Sequence, residues 1–568
     1  MKQNFETTAE AFLELLHLRG IKYFLANAGT DFASIVDAFA HRRSQGQKWP
    51  KPLVIPHEGP LVAMAHGYYL ATGEPLAAMV HVGAGTANSL GALMNAYNAQ
   101  VPILFAAGRT PISEWGHAGS RSIYIHWGQE CYDQAGIVRE FVKWDYELRS
   151  ESDLEAVVDR GLTLAMSEPR GPVYLTLPRE TLAAPFTKPE FKAKRRYDCP
   201  TFHPRPEKLK EAAEIIAGAK FPLVITSAAG KDPQAVVALT RLADSIGCGV
   251  ISFNPEFLNF PLDHPAHLGF EIEPDILEAD VIIVLDCDVP WYPQHFRPKQ
   301  TTKVIHIAID PLYSNYPIRT FESDLSLAGD ARQILTVLCE ILAEHPECEQ
   351  AAIADRKKRI KKRHLLMVEK LDKNAQHCTQ DKPIDPVWAA HCLNKYLNDD
   401  TIVVNEYDNQ MKSQANLRPG RYFTQPHGGF LGFGFGAALG IKLASPDKTV
   451  ILTVGDGSYL FNVPSACHLV SKAQQLPILI IVFNNHSWNA VKRSNLGMHP
   501  DGWAAKTQDF PLCDLQPSMP YEKICEAFGG YGEKVEDPGQ LQPAIERGLN
   551  VVRQEKRQAL INIILKHP

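Results

Sequence analysis

The sequence predicts an α/β protein built from three doubly wound parallel-sheet blocks. Three observations predict it. Short, wholly apolar runs recur along the chain, amphipathic helical stretches separate them, and 568 residues exceed what one core accommodates. Strand–helix alternation of this kind places a mostly parallel sheet between two helical layers.

In the first block, residues 7–19 carry apolar positions at helical spacing, and 21–26 reads as the strand that follows. Strands are expected at 52–55, 76–80, 101–106 and 173–177, with a helix over 61–71. The basic, proline-containing stretch 188–206 reads as a linker. Buried-type strands follow at 222–227, 281–285 and 304–309. A third block opens near Pro383, with strands at 401–404, 449–454 and 478–483. The division is 1–187, 188–370 with the linker, and 371–568.

Bulk composition narrows the partners. Hydrophobic residues make up 45% and charged residues 21%, ordinary globular values. A net charge of −6 argues against nucleic acid or an anionic membrane as the main partner. No uncharged apolar run approaches the roughly 18 residues of a membrane span, and the start MKQNFETTAE lacks the apolar core of a secretory signal. Eleven cysteines without a C-x-x-C pair suit reduced thiols. The expectation is a cytoplasmic enzyme acting on a small molecule. The basic run 356–363 reads as the solvated face of a connecting helix.

The most informative stretch is 450–458, an apolar strand ending in Gly455-Asp456-Gly457-Ser458, followed after one more apolar strand by Asn484-Asn485. Both strand ends project at one carboxyl edge of a parallel sheet, where such sheets bind ligands. An aspartate oxygen and an asparagine carbonyl are hard ligands suited to Mg²⁺, which completes its shell with phosphate oxygens. The flanking glycines allow a diphosphate close to the backbone. A helix is expected after Pro464. A competing pattern, Gly432-x-Gly434-x-x-Ala437, would make the chain a nicotinamide or flavin oxidoreductase. Its preceding stretch contains Pro426 and two glycines and does not read as the strand that motif requires.

The G-D-G…N-N pattern resembles that of thiamine-diphosphate-dependent decarboxylases, carboligases and acetohydroxyacid synthases. The resemblance implies the three-domain fold of the decarboxylases, with thiamine diphosphate and Mg²⁺ as cofactors. It assigns Asp456, Asn485 and the Ser487 carbonyl to the metal. It assigns Gly455, Gly457 and Ser458 to the diphosphate. Asp408 and Asn409 stand where relatives carry hydroxyl-bearing diphosphate contacts. An acid there is unfavourable unless it turns away or binds the metal. The segment His57-Glu58 with Ala65, Gly67 and Tyr68 resembles the family's activating-glutamate context, so Glu58 is expected to meet the aminopyrimidine ring. There it favours the imino tautomer that generates the ylid. In 427–434, Leu431 matches the apolar wedge between the cofactor rings, and the Gly429 carbonyl would accept from the amino group.

For the reaction, 79–98 is more similar to benzoylformate decarboxylase than to acetohydroxyacid synthase. His81 matches a proton-exchanging histidine, and Thr30 stands where a serine meets the substrate carboxylate. The second catalytic histidine has no counterpart: proline occupies its place, with His295 two positions on. Val491 replaces the acid that pyruvate decarboxylases carry. The implied activity is a 2-oxo acid decarboxylase or carboligase working through an ylid and an enamine. Alternatives are a lyase on a 2-hydroxy ketone, 2-hydroxyacyl thioester or diketone, or an acetohydroxyacid synthase-like ligase. In this family the cofactor bridges two subunits, implying at least a homodimer and an expected homotetramer. With no glycine-rich phosphate loop in 200–345, the central block is expected to be structural.

Overall fold

Three all-parallel sheets organise the chain, in a computed structural model describing residues 5–46, 50–187, 191, 199–346, 348–407, 410–414 and 416–566. The first contains β1 (Tyr23–Ala26), β2 (Lys51–Val54), β3 (Leu76–Val80), β4 (Ile103–Arg109), β5 (Asp145–Glu147) and β6 (Val173–Pro178). Its order is β2-β1-β3-β4-β6-β5. The central sheet has β7 (Pro222–Thr226), β8 (Gly249–Ser252), β9 (Val281–Leu285), β10 (Lys303–Ala308) and β11 (Leu325–Ala328), in the order β11-β10-β9-β7-β8. The last has β12 (Thr401–Glu406), β13 (Tyr422–Thr424), β14 (Thr449–Gly455), β15 (Leu479–Asn484), β16 (Tyr531–Val535) and β17 (Ala559–Ile564), in the order β13-β12-β14-β15-β17-β16. The first and last sheets therefore share one strand order, although their sequences show no repeat.

That order has a consequence for function. Chain progression reverses between β1 and β3, and again between β12 and β14. At such switch points the crossover helices leave to opposite faces and open a crevice at the carboxyl edge. The strands missed in the sequence are mostly short or at sheet edges. β5 and β16 carry charged residues and are only partly buried, so they lack the apolar run that marks an inner strand.

The first and last blocks pack through two helices, Glu58–Thr72 and Gly434–Ala444. Contact is backbone to backbone. A Cβ at Gly440 would lie 2.0 Å from the Met64 carbonyl oxygen, and one at Gly67 would lie 2.1 Å from that of Ala437. Only glycine permits this approach.

The basic run lies on the long helix Gln350–His377. Lys357, Lys358, Lys361 and Lys362 are exposed, as expected. Arg356 corrects the reading: it is buried and donates to the carbonyls of Ile246 and Ala219, tying the helix to the central domain. Arg363 pairs with Asp275 and Glu278. Among the described residues, no helix is long and apolar enough to cross a membrane.

Candidate active site

β14 and β15 are adjacent, with Gly455 opposite Phe483. β14 ends at Gly455 and a helix begins at once, at Asp456–Phe461, before the expected one at Pro464–Ala473. Asp456 is 3% exposed. Its Oδ1 accepts from the Gly457 backbone N–H at 2.8 Å. Its Oδ2 is buried and has no hydrogen-bond partner among the described residues. Burial pushes the carboxyl pKa up to about 6, against the pull of backbone N–H groups at Gly457, His486 and Ser487. A buried, unpartnered carboxylate oxygen is costly unless a cation meets it. The residues present thus fit a hard metal ion.

Asn485 follows at the end of β15. Its Oδ1 accepts from the Ser487 N–H at 3.0 Å and its Nδ2 donates to the Tyr407 hydroxyl at 3.3 Å. His486 between them has φ +58, which turns the chain sharply enough to bring Ser487 back toward Asp456. The glycines beside Asp456 have a second reason to be glycine. A Cβ at Gly457 would lie 2.2 Å from the Trp488 ring, and one at Gly455 2.8 Å from the Tyr407 ring. Gly455, Asp456, Gly457, Ser458, Asn485, Ser487 and Leu431 all line one cavity of about 490 Å³. Asp408 and Asn409 lie outside the described residues.

Sequence reasoning likened Asn405-Glu406 to the family's strand end but gave no role to Glu406, which ends β12. Its buried carboxylate accepts from the backbone N–H groups of Gly432 (2.6 Å), Phe433 (3.1 Å) and Gly434 (2.7 Å), and from Asn462 Nδ2 (2.7 Å). This overturns the dinucleotide reading, because the glycine-rich helix start already holds an anion of its own chain. On the other side of that segment, Asn95 donates to the Phe430 carbonyl at 2.8 Å and accepts its N–H at 3.1 Å. Gly429 takes φ +72 within the clamped stretch.

The first sheet presents a second set of groups. Glu58, after β2, heads its helix, is 9% exposed and accepts from Asn88 Nδ2 at 2.6 Å. His81 follows β3 and is half-buried. Asp31, which the sequence did not single out, follows β1 and reaches His81 Nδ1 at 2.5 Å. The hydrogen bond to Asp31 is the main cause raising the His81 pKa, with burial opposing. Thr30 opens the same turn and is exposed. Three chemically active side chains thus follow three neighbouring strands, β2, β1 and β3. His295 is exposed on a turn of the central domain and does not line the Asp456 cavity.

Glu58 and His81 do not line that cavity either; among the described residues it draws only on the central and last blocks. A larger cavity of about 580 Å³ opens where the three blocks meet, lined by residues including Lys231, Asp286 and Tyr313.

Three parallel sheets with a glycine-flanked aspartate at a switch point, one of its oxygens unpartnered among the described residues, define an α/β protein suited to a phosphorylated ligand and its counter-cation. Comparison with known families makes this specific. Models of the thiamine pyrophosphate enzyme N-terminal TPP binding domain, central domain and C-terminal TPP binding domain match residues 6–137, 209–338 and 408–563. The chain belongs to the thiamine pyrophosphate enzyme family, and it is a thiamine-diphosphate-dependent enzyme.

Its relatives span several activities. It is 26% identical to the acetolactate synthase isozyme 3 large subunit of Escherichia coli, over 89% of this chain and 86% of that one. It is 25% identical to 2-hydroxyacyl-CoA lyase of Oryza sativa, over 88% and 86%. The structure of benzoylformate decarboxylase from Polynucleobacter necessarius superposes with a TM-score of 0.80 at 20% identity, over 99% of both chains. At that identity it speaks for the fold alone.

Proposed function

We propose that this chain is a Mg²⁺-dependent 2-oxo acid decarboxylase or carboligase in which Glu58 activates the cofactor and His81 exchanges protons with the substrate. The observation that carries the reading is the arrangement of Glu58, Asp31 and His81 at three neighbouring strand ends, which pairs a carboxyl with a protonatable imidazole. Thiamine diphosphate, when bound, would supply a nucleophilic carbon for addition to a carbonyl and a cationic ring to take up the electron pair of the broken C–C bond. The rest is the chain's own work. Asp456, Asn485 and the Ser487 carbonyl would hold the cation, with Gly455, Gly457 and Ser458 beside the diphosphate. Leu431 would set the angle between the cofactor rings, and the Gly429 carbonyl would receive the amino group. Glu58 would exchange a proton with the pyrimidine ring while Asn88 fixes its carboxyl. Thr30 would meet the substrate carboxylate, and His81 Nε2 would deliver a proton to the product.

Among the described residues the Asp456 cavity takes nothing from the first sheet, which supports a homodimer in which one copy's Glu58 completes the other copy's cofactor site. A homotetramer of such pairs in the cytoplasm is the assembly we infer, with domain limits at 187 and 370. A second reading, a lyase on a 2-hydroxy ketone or 2-hydroxyacyl thioester, is favoured by the similarity to the rice lyase. There, neutral His81 would take the hydroxyl proton.

The test is calorimetric titration of metal-stripped protein with thiamine diphosphate, with and without Mg²⁺, on wild type and Asp456→Ala. Mg²⁺-dependent binding that the variant loses supports the site, while binding unaffected by either change sinks it. Carbon dioxide release from a panel of 2-oxo acids then separates decarboxylation from cleavage, which releases none.

A further inference from the structure

The turn after β1 sets Asp31 against His81 in a way that needs several unusual positions. Asp31 Oδ1 lies 2.5 Å from His81 Nδ1, and Oδ2 accepts the Val82 backbone N–H at 3.3 Å. A Cβ at Gly29 would lie 2.1 Å from Nδ1 of that imidazole, and one at Gly108 1.9 Å from Asp31 Oδ2. Val82 takes φ +32, a conformation that strains a β-branched residue. Across the ring, Gln129 Nε2 stands 3.2 Å from His81 Nε2, while Gln129 Oε1 is buried with no partner among the described residues. The loop carrying Gln129 is anchored at Glu130, which binds Arg109, Arg121 and the Thr110 hydroxyl.

A carboxylate at Nδ1 keeps a proton on that nitrogen, so the neutral ring offers Nε2 as an acceptor, and Gln129 donates to it. Once Nε2 is protonated it needs an acceptor instead. A half-turn of the Gln129 amide presents Oε1, which has no other partner among the described residues, to that N–H. We propose that Asp31 and Gln129 are positioning residues that hold His81 in register through both protonation states. Asp31 fixes the Nδ1 proton, and Gln129 turns its amide as Nε2 gains or loses its proton. No proton passes to Asp31; the Nε2 proton goes to the reacting molecule and returns from solvent. The inference rests on the reading of His81 as the proton-exchanging group. The other titratable groups acting on His81 are Glu58, at the head of its helix, and His126, on Ile125–Gly128.

The experiment is diethyl pyrocarbonate labelling of the full-length, cofactor-loaded enzyme across pH, with the His81 peptide quantified by mass spectrometry. Asp31→Asn, nearly isosteric, is expected to lower the His81 labelling midpoint by about one pH unit. Gln129→Glu, which adds a carboxylate at the other nitrogen, is expected to raise it by a similar amount. The pH limb of kcat/KM should move with each midpoint. Midpoints that stay in place in both folded variants overturn the inference. Midpoints that move while His81→Ala leaves turnover intact uphold the positioning role and refute the catalytic reading of His81 alone.

Discussion

His427 Nδ1 stands 2.8 Å from Asp288 Oδ2, joining the segment that carries Leu431 to the carboxyl end of β9. The other ring nitrogen lies 3.0 Å from the Asn254 carbonyl, and the His427 backbone N–H reaches Glu256 Oε1 at 2.7 Å. With an acceptor at each nitrogen, the ring carries both protons. Burial opposes the charge, but Glu256 and Asp288 outweigh it and lift the His427 pKa to about 10. Burial likewise opposes charge on Asp288, but His427 and the Tyr316 hydroxyl bring it down to about 2.

The sign of the pH dependence follows. The raised histidine stabilises fully below its unfolded value of about 6.5 and loses that contribution as pH climbs toward 10. The depressed aspartate stabilises above about 4 and loses it as pH falls toward 2. Asp288→Asn should therefore destabilise most between about pH 4 and 6.5, by roughly 3 kcal/mol for a broken buried pair. Thermal unfolding at pH 6 and pH 10 checks this. An equal deficit at both would show that the pair is not the cause.

Gly440→Ala is expected to destabilise, against the usual helical trend. In an open helix the change gains about 1 kcal/mol. Here the added methyl would meet the Met64 carbonyl oxygen at 2.0 Å and the Tyr68 nitrogen at 2.7 Å, both backbone atoms. Forcing the two helices apart should cost roughly 2–3 kcal/mol. Gly497→Ala, where nothing lies within 4 Å, is the control and should be neutral or stabilising. Urea unfolding of the two side by side decides. Equal behaviour would mean the interface gives way easily.

Glu406→Gln should weaken the fold around residues 427–434. Three backbone N–H groups and Asn462 converge on this carboxylate, and burial pushes its pKa up against them. A glutamine would turn its own N–H₂ toward donors on one side and leave some unpaired. The expected cost is about 2 kcal/mol, read as faster proteolysis within 427–434. Unchanged proteolysis would show that Asn462 and Asn95 hold the segment without the charge.

What could be read in the sequence divides along a physical line. Gly455-Asp456-Gly457 and Asn484-Asn485 were legible because a strand end and its turn are local, and β14 and β15 neighbour each other in both chain and sheet. Asp31 was not legible. Its partner His81 is brought to it only by the β1–β3 pairing, and an aspartate in a turn carries no signal of its own. The role of Glu406 was hidden for the same reason: its donors come from a later segment, and the glycines it caps imitate a dinucleotide motif. The common strand order of the first and last sheets is likewise a property of pairing, absent from any single run of residues.

Glu58→Gln and Asp456→Asn should fail in different ways, and the contrast tests the division of labour between the two half-sites. Asp456→Asn removes the charge of the buried, unpartnered oxygen that would face the cation, so Mg²⁺-dependent binding of thiamine diphosphate should fall. Glu58→Gln keeps the size of a side chain that Asn88 already holds, so binding should persist. What it should lose, on the proposed role of Glu58, is proton exchange with the pyrimidine ring, an effect on the order of 10²–10⁴-fold. Deuterium exchange at the reactive carbon of the bound cofactor, quenched and read by NMR, measures that step without any substrate. Slow exchange with intact binding assigns the proton role to Glu58. Exchange at the wild-type rate would move that role to another group, and loss of binding would make Glu58 a structural contact.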